Sequence, residues 1–270
     1  MVIILKKKKI FITGAGSGLG KEAAIKLARR RHTVYASVQY ENQIEDINKI
    51  AQRENLALGA FKLDILLPAD RALISNYDID VFIANSAVGD SGAVCDIDID
   101  RIKTVFETNV FCNLQTIQIA LKNMIQDKCK GRIIILSSLV GRIPIKFLSP
   151  YCASKFALEG FATCLRHELN MLPNCNIDVL VIEPGAYATG FNQENVCKKY
   201  EYMEQESYFK EILPKIKEQD KKIWHFLNQK PFDSIINKYV KAVETNFPKR
   251  RYTAPWWQAL GVQLGRIFGM

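Results

Sequence analysis

In the stretch "SPYCASKFALEG", residues 149 to 160, Tyr151 and Lys155 stand four positions apart in a run whose other inward positions are Ala, Phe and Leu. On a helix of 3.6 residues per turn this spacing puts their Cβ atoms about 5 to 6 Å apart on one face. A phenol ionises near pH 10, too high for easy proton transfer at neutral pH, and a cation one turn away lowers that value. A shift of two to three units takes only about 3 to 4 kcal/mol. The pair suits an acid/base that removes a hydroxyl proton as a hydride leaves the carbon, or returns a proton to a carbonyl oxygen. A lone Y-x-x-x-K also describes a surface tyrosine lying on a lysine stem, so the rest of the chain decides between the two.

Two further groups bear on that choice. Ser138 lies thirteen residues before Tyr151 at the end of the run "IIILSS", where its hydroxyl can orient a substrate oxygen. Ser137 competes for the same role. Near the start, "IFITGAGSGLGKEAA" places Gly14, Gly18 and Gly20 where a strand turns into a helix. Glycine there permits a tight turn and lets the backbone approach a pyrophosphate, which then rests on the first amides of the helix.

Positioning these groups requires a sheet, and the pattern supplies one. Runs rich in β-branched residues at 9–13, 33–37, 58–63, 81–85, 132–137 and 177–183 alternate with helical patterns near 18–31, 41–53, 100–125 and 151–172. Near-continuous apolar strands joined by helices imply a parallel sheet covered on both faces. The predicted fold is α/β, a Rossmann-type doubly wound sheet, with residues 1–270 forming one catalytic domain. Residues 190–230 are lysine-rich, carry Tyr200, Tyr202, Tyr208 and Phe209, and read as helices outside the sheet that form a substrate lid. A further helix fits 232–246, and 247–270 reads as a C-terminal extension.

The 270 residues are 48% hydrophobic, ample for a large core, which excludes disorder as the main theme. Seven cysteines are scattered without C-x-x-C spacing, so neither a disulfide framework nor a zinc site is expected. The opening "MVIILKKKKIFITG" puts only four apolar residues before its lysines, unlike a signal peptide, and no run reaches the length of a membrane span. A cytoplasmic protein is expected. The net charge of +9 suits an anionic ligand or surface, but the lysines are dispersed among acids and no nucleic-acid-reading motif occurs. His32, His167 and His225 are unclustered and read as surface or helix histidines, and Asp96, Asp98 and Asp100 read as a solvated loop with a helix N-cap; no metal is expected.

The T-G-x-x-x-G-x-G spacing resembles the short-chain dehydrogenase/reductase family. The resemblance continues in order through Asp64 in "KLDIL", Asn109 in "FETNVF", Ser138 in "ILSSLVG", Tyr151 and Lys155 in "YCASK", and Pro184, Gly185 and Thr189 in "EPGAYAT", covering residues 9 to 190. It selects Ser138, followed three later by Gly141, over Ser137. It implies a catalytic set of Asn109, Ser138, Tyr151 and Lys155, with Asn109 holding a water that links the lysine to solvent and Lys155 also bonding the nicotinamide ribose. Cofactor contacts are implied for Gly14, Ser17, Gly18, Leu19, Gly20, Ser37, Gln39, Asp64, Ile65, Asn85, Tyr151, Lys155, Pro184, Gly185 and Thr189. The family's N-N-A-G reads "ANSA" here, so Asn85 is kept while Ala84, Ser86 and Ala87 depart from the pattern beside the adenosine ribose. "YCASKFALEG" is similar to the 17β-hydroxysteroid and retinol dehydrogenase branch, which implies hydride transfer between a nicotinamide and a secondary alcohol or carbonyl, with a lipophilic substrate.

After the second strand the chain reads "YASVQYEN", with no carboxylate before Glu41 to hold a ribose 2′-hydroxyl. The hydroxyls of Ser17 and Ser37 lean the expectation toward NADP(H) over NAD(H), and Gln39 in place of an arginine implies modest discrimination. Phe156, Phe161, Leu165 and Leu169 spread apolar residues over more than one helix face and predict a homo-oligomer. Trp256, Trp257, Leu260, Leu264, Ile267 and Phe268 recur at helical spacing. Three destinations are open to that face: packing on the domain or a partner, the rim of the substrate pocket, or a membrane surface assisted by Lys249, Arg250 and Arg251. A non-catalytic dinucleotide sensor, or a peripheral membrane-associated protein on the same fold, is the competing class.

Overall fold

The computed structural model describes residues 6–127, 129–228 and 230–269. The reading of residues 1–5 as part of no leader therefore lies outside the described residues.

Seven parallel strands form one sheet: β1 (Lys9–Ile12), β2 (Thr33–Val38), β3 (Leu58–Lys62), β4 (Val81–Ala84), β5 (Lys130–Leu136), β6 (Asn176–Pro184) and β7 (Arg251–Ala254). Their spatial order is β3-β2-β1-β4-β5-β6-β7. The order reverses between β1 and β4, and in such sheets the crevice at the carboxyl ends beside the switch point is where ligands bind. Strand residues alternate between two cores. Ile10 and Ile12 of β1 enter one cluster while Phe11 enters the other.

The helices that cover these faces are α1 (Gly18–Arg29), α2 (Asn42–Arg53), α3 (Pro68–Ala72), α4 (Ile99–Phe106), α5 (Asn113–Asp127), α6 (Ser149–Leu169), α7 (Phe191–Met203), α8 (Leu213–Leu227), α9 (Asp233–Glu244) and α10 (Trp256–Ile267). Leu27 of α1, Ile47 of α2 and Ile236 of α9 pack on one face, and Ile117 of α5 and Leu158 of α6 on the other. The run expected as one helix over 100–125 is two, joined by a π-turn over Glu107–Cys112. Asp98 caps α4 by accepting from Asp100 N at 2.8 Å, as its type and position lead one to expect.

Two expectations change. The segment 247–270 contains β7, the sheet's outer strand on the β6 side, so part of it belongs to the domain's frame. The strand reads RYTA and lacks the near-continuous apolar run that marks the equally short β1 and β4. His32 is buried between the start of β1 and the end of α9, with its ring accepting from Lys8 N at 3.2 Å and lying 3.3 Å from Glu244.

The segment after β6 is helical, as α7 and α8, and has its own small core of Met203, Leu213 and Ile216 against Phe147 and Phe209. Asp96 ties it to the body by accepting from Ser207 Oγ at 2.7 Å and Tyr208 N at 3.1 Å. Among the described residues no helix is long and apolar enough to cross a membrane.

Candidate active site

A cavity of about 850 Å³ lies at the carboxyl ends of the strands and runs from the glycine turn to the inner side of α10. Of the residues implied for the cofactor, Gly14, Ser17, Gly18, Leu19, Gly20, Gln39, Asp64, Ile65, Asn85, Tyr151, Pro184, Gly185 and Thr189 line it, and so does Ser138. Ser37, Asn109 and Lys155 stand behind this lining, all three buried. The Ser37 hydroxyl has no hydrogen-bond partner inside the wall, and the residue touches the turn through its carbonyl, which accepts from Ala15 N at 2.8 Å.

The glycine turn is built for close approach. Gly14 has φ +64°, a left-handed conformation costly for other residues. A Cβ on Gly20 would come within 2.4 Å of the Gly14 carbonyl oxygen and 2.5 Å of Asn85 Nδ2. Ser17 caps α1 in an extended conformation with no side-chain cap bond, and the first turn of α1 carries no acid. Its free amides therefore open on the cavity, the arrangement an anionic pyrophosphate requires.

Asn85 locks this turn. Its Nδ2 donates to the carbonyls of Thr13 at 2.9 Å and Gly14 at 3.1 Å, and its Oδ1 accepts from Tyr239 Oη at 2.9 Å. Tyr239 is fully buried in α9, some 150 residues along the chain, and nothing in the local sequence marks it for this task. Only its type, a tyrosine on an apolar helix face, hints at a hydroxyl that must find a partner.

Ser138, Tyr151 and Lys155 come together at the other end. Ser138 follows β5 and its Oγ donates to the Pro184 carbonyl at 3.3 Å, while Tyr151 sits in the first turn of α6 and lines the same cavity. The Lys155 ammonium lies 5.4 Å from the Tyr151 ring centroid and donates to the Leu136 carbonyl at 2.8 Å. Ser137, the competing serine, is buried with an unpartnered hydroxyl and also lines the cavity. Burial pushes the Tyr151 phenol well above its ordinary range, with the neighbouring Ser138 hydroxyl acting in the opposite direction. Burial also pushes Lys155 down to about 7, opposed by Glu159. In the protein alone, desolvation outweighs the lysine's effect on the phenol, since charging either group inside the domain costs more than the pair regains.

Asn109 lies in the π-turn with its side chain fully engaged. Oδ1 accepts from Val88 N at 2.8 Å, and Nδ2 donates to the Val88 carbonyl at 2.8 Å and to Ser154 Oγ at 3.0 Å. Ser154 in turn donates to the Tyr151 carbonyl at 2.8 Å. Asn109 thus fastens the loop after β4 to the helix that carries the tyrosine. Gln258 of α10 was unmarked in the sequence and closes the site on the opposite side: its Oε1 accepts from Ala186 N at 2.8 Å and its Nε2 donates to the Leu227 carbonyl at 2.7 Å.

A parallel sheet in this order, with an open helix N-terminus at its switch point and a serine, tyrosine and lysine beside it, defines a Rossmann-type dinucleotide oxidoreductase. The short chain dehydrogenase family model matches residues 8–199, and the chain belongs to this family of NAD(P)-dependent oxidoreductases, which act on alcohols and carbonyls. It is 34% identical over 192 residues to the uncharacterized oxidoreductase YusZ of Bacillus subtilis, a match covering 68% of this chain and 67% of that one. It is 28% identical over 265 residues to retinol dehydrogenase 8 of Bos taurus, covering 90% and 80%. A short-chain dehydrogenase of Streptomyces avermitilis superposes with a TM-score of 0.71 at 20% identity over 98% of this chain and 94% of that one. Matched stretches span 60% of a rat dehydrogenase/reductase SDR family member 7B and 63% of the Helicobacter pylori protein VdlC, a probable short-chain type dehydrogenase/reductase.

Proposed function

We propose that the protein interconverts a lipophilic secondary alcohol and its carbonyl, with Tyr151 as acid/base, Ser138 orienting the substrate oxygen and Lys155 supplying positive charge. A nicotinamide dinucleotide bound along the glycine turn supplies or accepts the hydride. The observation that carries this reading is one cavity that both Ser138 and Tyr151 line and that continues to the α1 N-terminus. Tyr151 Oη holds the proton that passes to or from the substrate oxygen, and Ser138 bonds that oxygen so that it lies against the phenol. Lys155, one turn along α6, favours the phenolate whenever it carries its proton. Asn109 acts by holding α6 against the loop after β4.

The substrate half of the cavity supports a lipophilic ligand, since Ile143, Ile145, Leu148, Phe191, Trp224 and Trp257 line it. Retinol dehydrogenase 8, to which the chain is similar, is named for a substrate of that kind. NADP(H) is favoured over NAD(H), because no carboxylate follows β2 before Glu41 and Gln39, which lines the cavity, presents a neutral amide. The enzyme is cytoplasmic in this reading and pairs with a second copy through α4, α5 and α6, where Ile99, Phe111, Phe156 and Phe161 are exposed. The test is oxidation of NADPH and NADH by the pure protein against ketones and aldehydes of graded chain length. Turnover that rises with chain length supports the reading, and no turnover with any carbonyl overturns it. A dissociation constant about tenfold tighter for NADH than NADPH removes the cofactor preference.

A further inference from the structure

The ionisable row on α6 does not stop at Lys155. Glu159 follows it at the same spacing of four, so a phenol, an ammonium and a carboxyl stand one above another on one helix face. Arg251 of β7 reaches this carboxyl, its Nη2 donating to Glu159 Oε2 at 2.6 Å, and through Nη1 it donates to Glu183 Oε1 at 2.7 Å. Glu183 is fully buried at the end of β6, directly before Pro184. One guanidinium thus clamps two carboxyl groups.

Each carboxyl has an oxygen left over. Glu159 Oε1 and Glu183 Oε2 are buried without a hydrogen-bond partner, while Arg251 holds the two carboxyl groups side by side on one guanidinium. Arg142 stands 3.7 Å from Glu183 Oε2, too far for a hydrogen bond. Arg166 of α6, Arg250 before β7 and Arg266 of α10 add positive charge further out. Two buried carboxyl groups held on one guanidinium repel when both are ionised, and one proton shared between them relieves that repulsion.

We propose that Glu159 and Glu183 share one proton and act as a positioning pair that sets the charge state of Lys155. The inference rests on the reading of Tyr151 and Lys155 given above. It is supported by the direction in which the site titrates: burial and the facing Glu159 push Glu183 up to about 8, while Glu159 raises Lys155 against its own burial. As pH rises, the pair loses its proton in the range where Lys155 would lose its own. The added negative charge holds the lysine protonated, and the phenolate of Tyr151 keeps its neighbouring cation.

Two measurements test this on the full-length protein. Infrared titration of the protein without cofactor reads the proton directly: a protonated-carboxyl C=O stretch is expected at neutral pH, fading on alkalinisation and lost in both Glu159→Gln and Glu183→Gln. No such band in the wild type, or a band that survives in both variants, overturns the shared proton whatever the enzyme does. The second reads Lys155 through the pH profile of alcohol oxidation. Once the wild-type pair has given up its proton, Glu159→Gln carries one negative charge fewer beside Lys155, so the lysine loses its proton earlier and the rising limb moves to higher pH by about one unit. Glu159→Asp, which keeps the charge, restores it. An unmoved limb in Glu159→Gln overturns the link to Lys155. If Tyr151→Phe remains active, the assignment of the acid/base fails instead, and the infrared result still decides the pair.

Discussion

At the scale of the residue, burial sets the chemistry. Lys155 is buried behind the cavity wall and Tyr151 is partly buried in it, and burial makes each resist its charge. Tyr151→Phe keeps the ring against Phe191, 5.6 Å away, and removes only the proton. It is expected to lower kcat by about 100-fold or more with cofactor affinity nearly unchanged, measured by steady-state kinetics and fluorescence titration. Lys155→Met is expected to damage both. Its effect on stability has the opposite sign. Lys155 falls from 10.5 to about 7 on folding, so between those values the unfolded chain binds the proton that the native protein lacks, and stability from this group rises with pH. Lys155→Met is therefore expected to be more stable than wild type at neutral pH, by up to about 4 kcal/mol, with the difference vanishing above pH 10. Urea unfolding across this range checks it.

At the scale of the element, the cofactor end is a strand-turn-helix unit braced from outside. The brace is α9, through Tyr239, which bonds Asn85 and so holds the carbonyls of Thr13 and Gly14 in place. Tyr239→Phe leaves Asn85 Oδ1 without its donor in a dry site. The expected cost is about 1 to 3 kcal/mol of stability, read by denaturant unfolding, together with weaker dinucleotide binding although Tyr239 does not line the cavity. Unchanged binding in a folded variant would show that the turn holds its shape without α9. The departure of "ANSA" from the family pattern is absorbed here, since Ser86 N still bonds Thr13 Oγ1 at 3.1 Å.

At the scale of the whole molecule, α10 divides its apolar residues between two environments. Trp257, Gly261 and Val262 line the cavity, whereas Trp256, Leu260, Leu264, Ile267 and Phe268 are exposed on the other side. Residues 256–270 begin after β7 ends, so removing them leaves the sheet complete. The truncated protein is expected to stay folded by circular dichroism and to raise KM for long-chain ketones several-fold more than for short ones. Equal losses for both would assign α10 to packing alone. Sedimentation with anionic vesicles at low salt tests the outer face of this helix, whose last turn carries Arg266. For the assembly, light scattering at micromolar concentration is expected to give a multiple of the 30.7 kDa chain mass.

Much of this protein was legible along the chain because its signals are local. Six strands, the glycine turn and the Tyr151, Lys155 and Ser138 set each depend on residues within one turn or one strand-helix junction, where periodicity and backbone freedom are written directly in the residue types. β7, whose RYTA lacks the near-continuous apolar run of the equally short β1 and β4, left no such trace. Tyr239, Gln258 and the Glu159, Glu183 and Arg251 cluster could be assigned only once the chain had folded. Their partners lie tens to more than a hundred residues away, and a hydrogen bond between distant segments has no period. The titration of the site belongs to the tertiary structure for the same reason. The lysine's charge is a matter of spacing, but how strongly that charge is resisted depends on how much protein surrounds it.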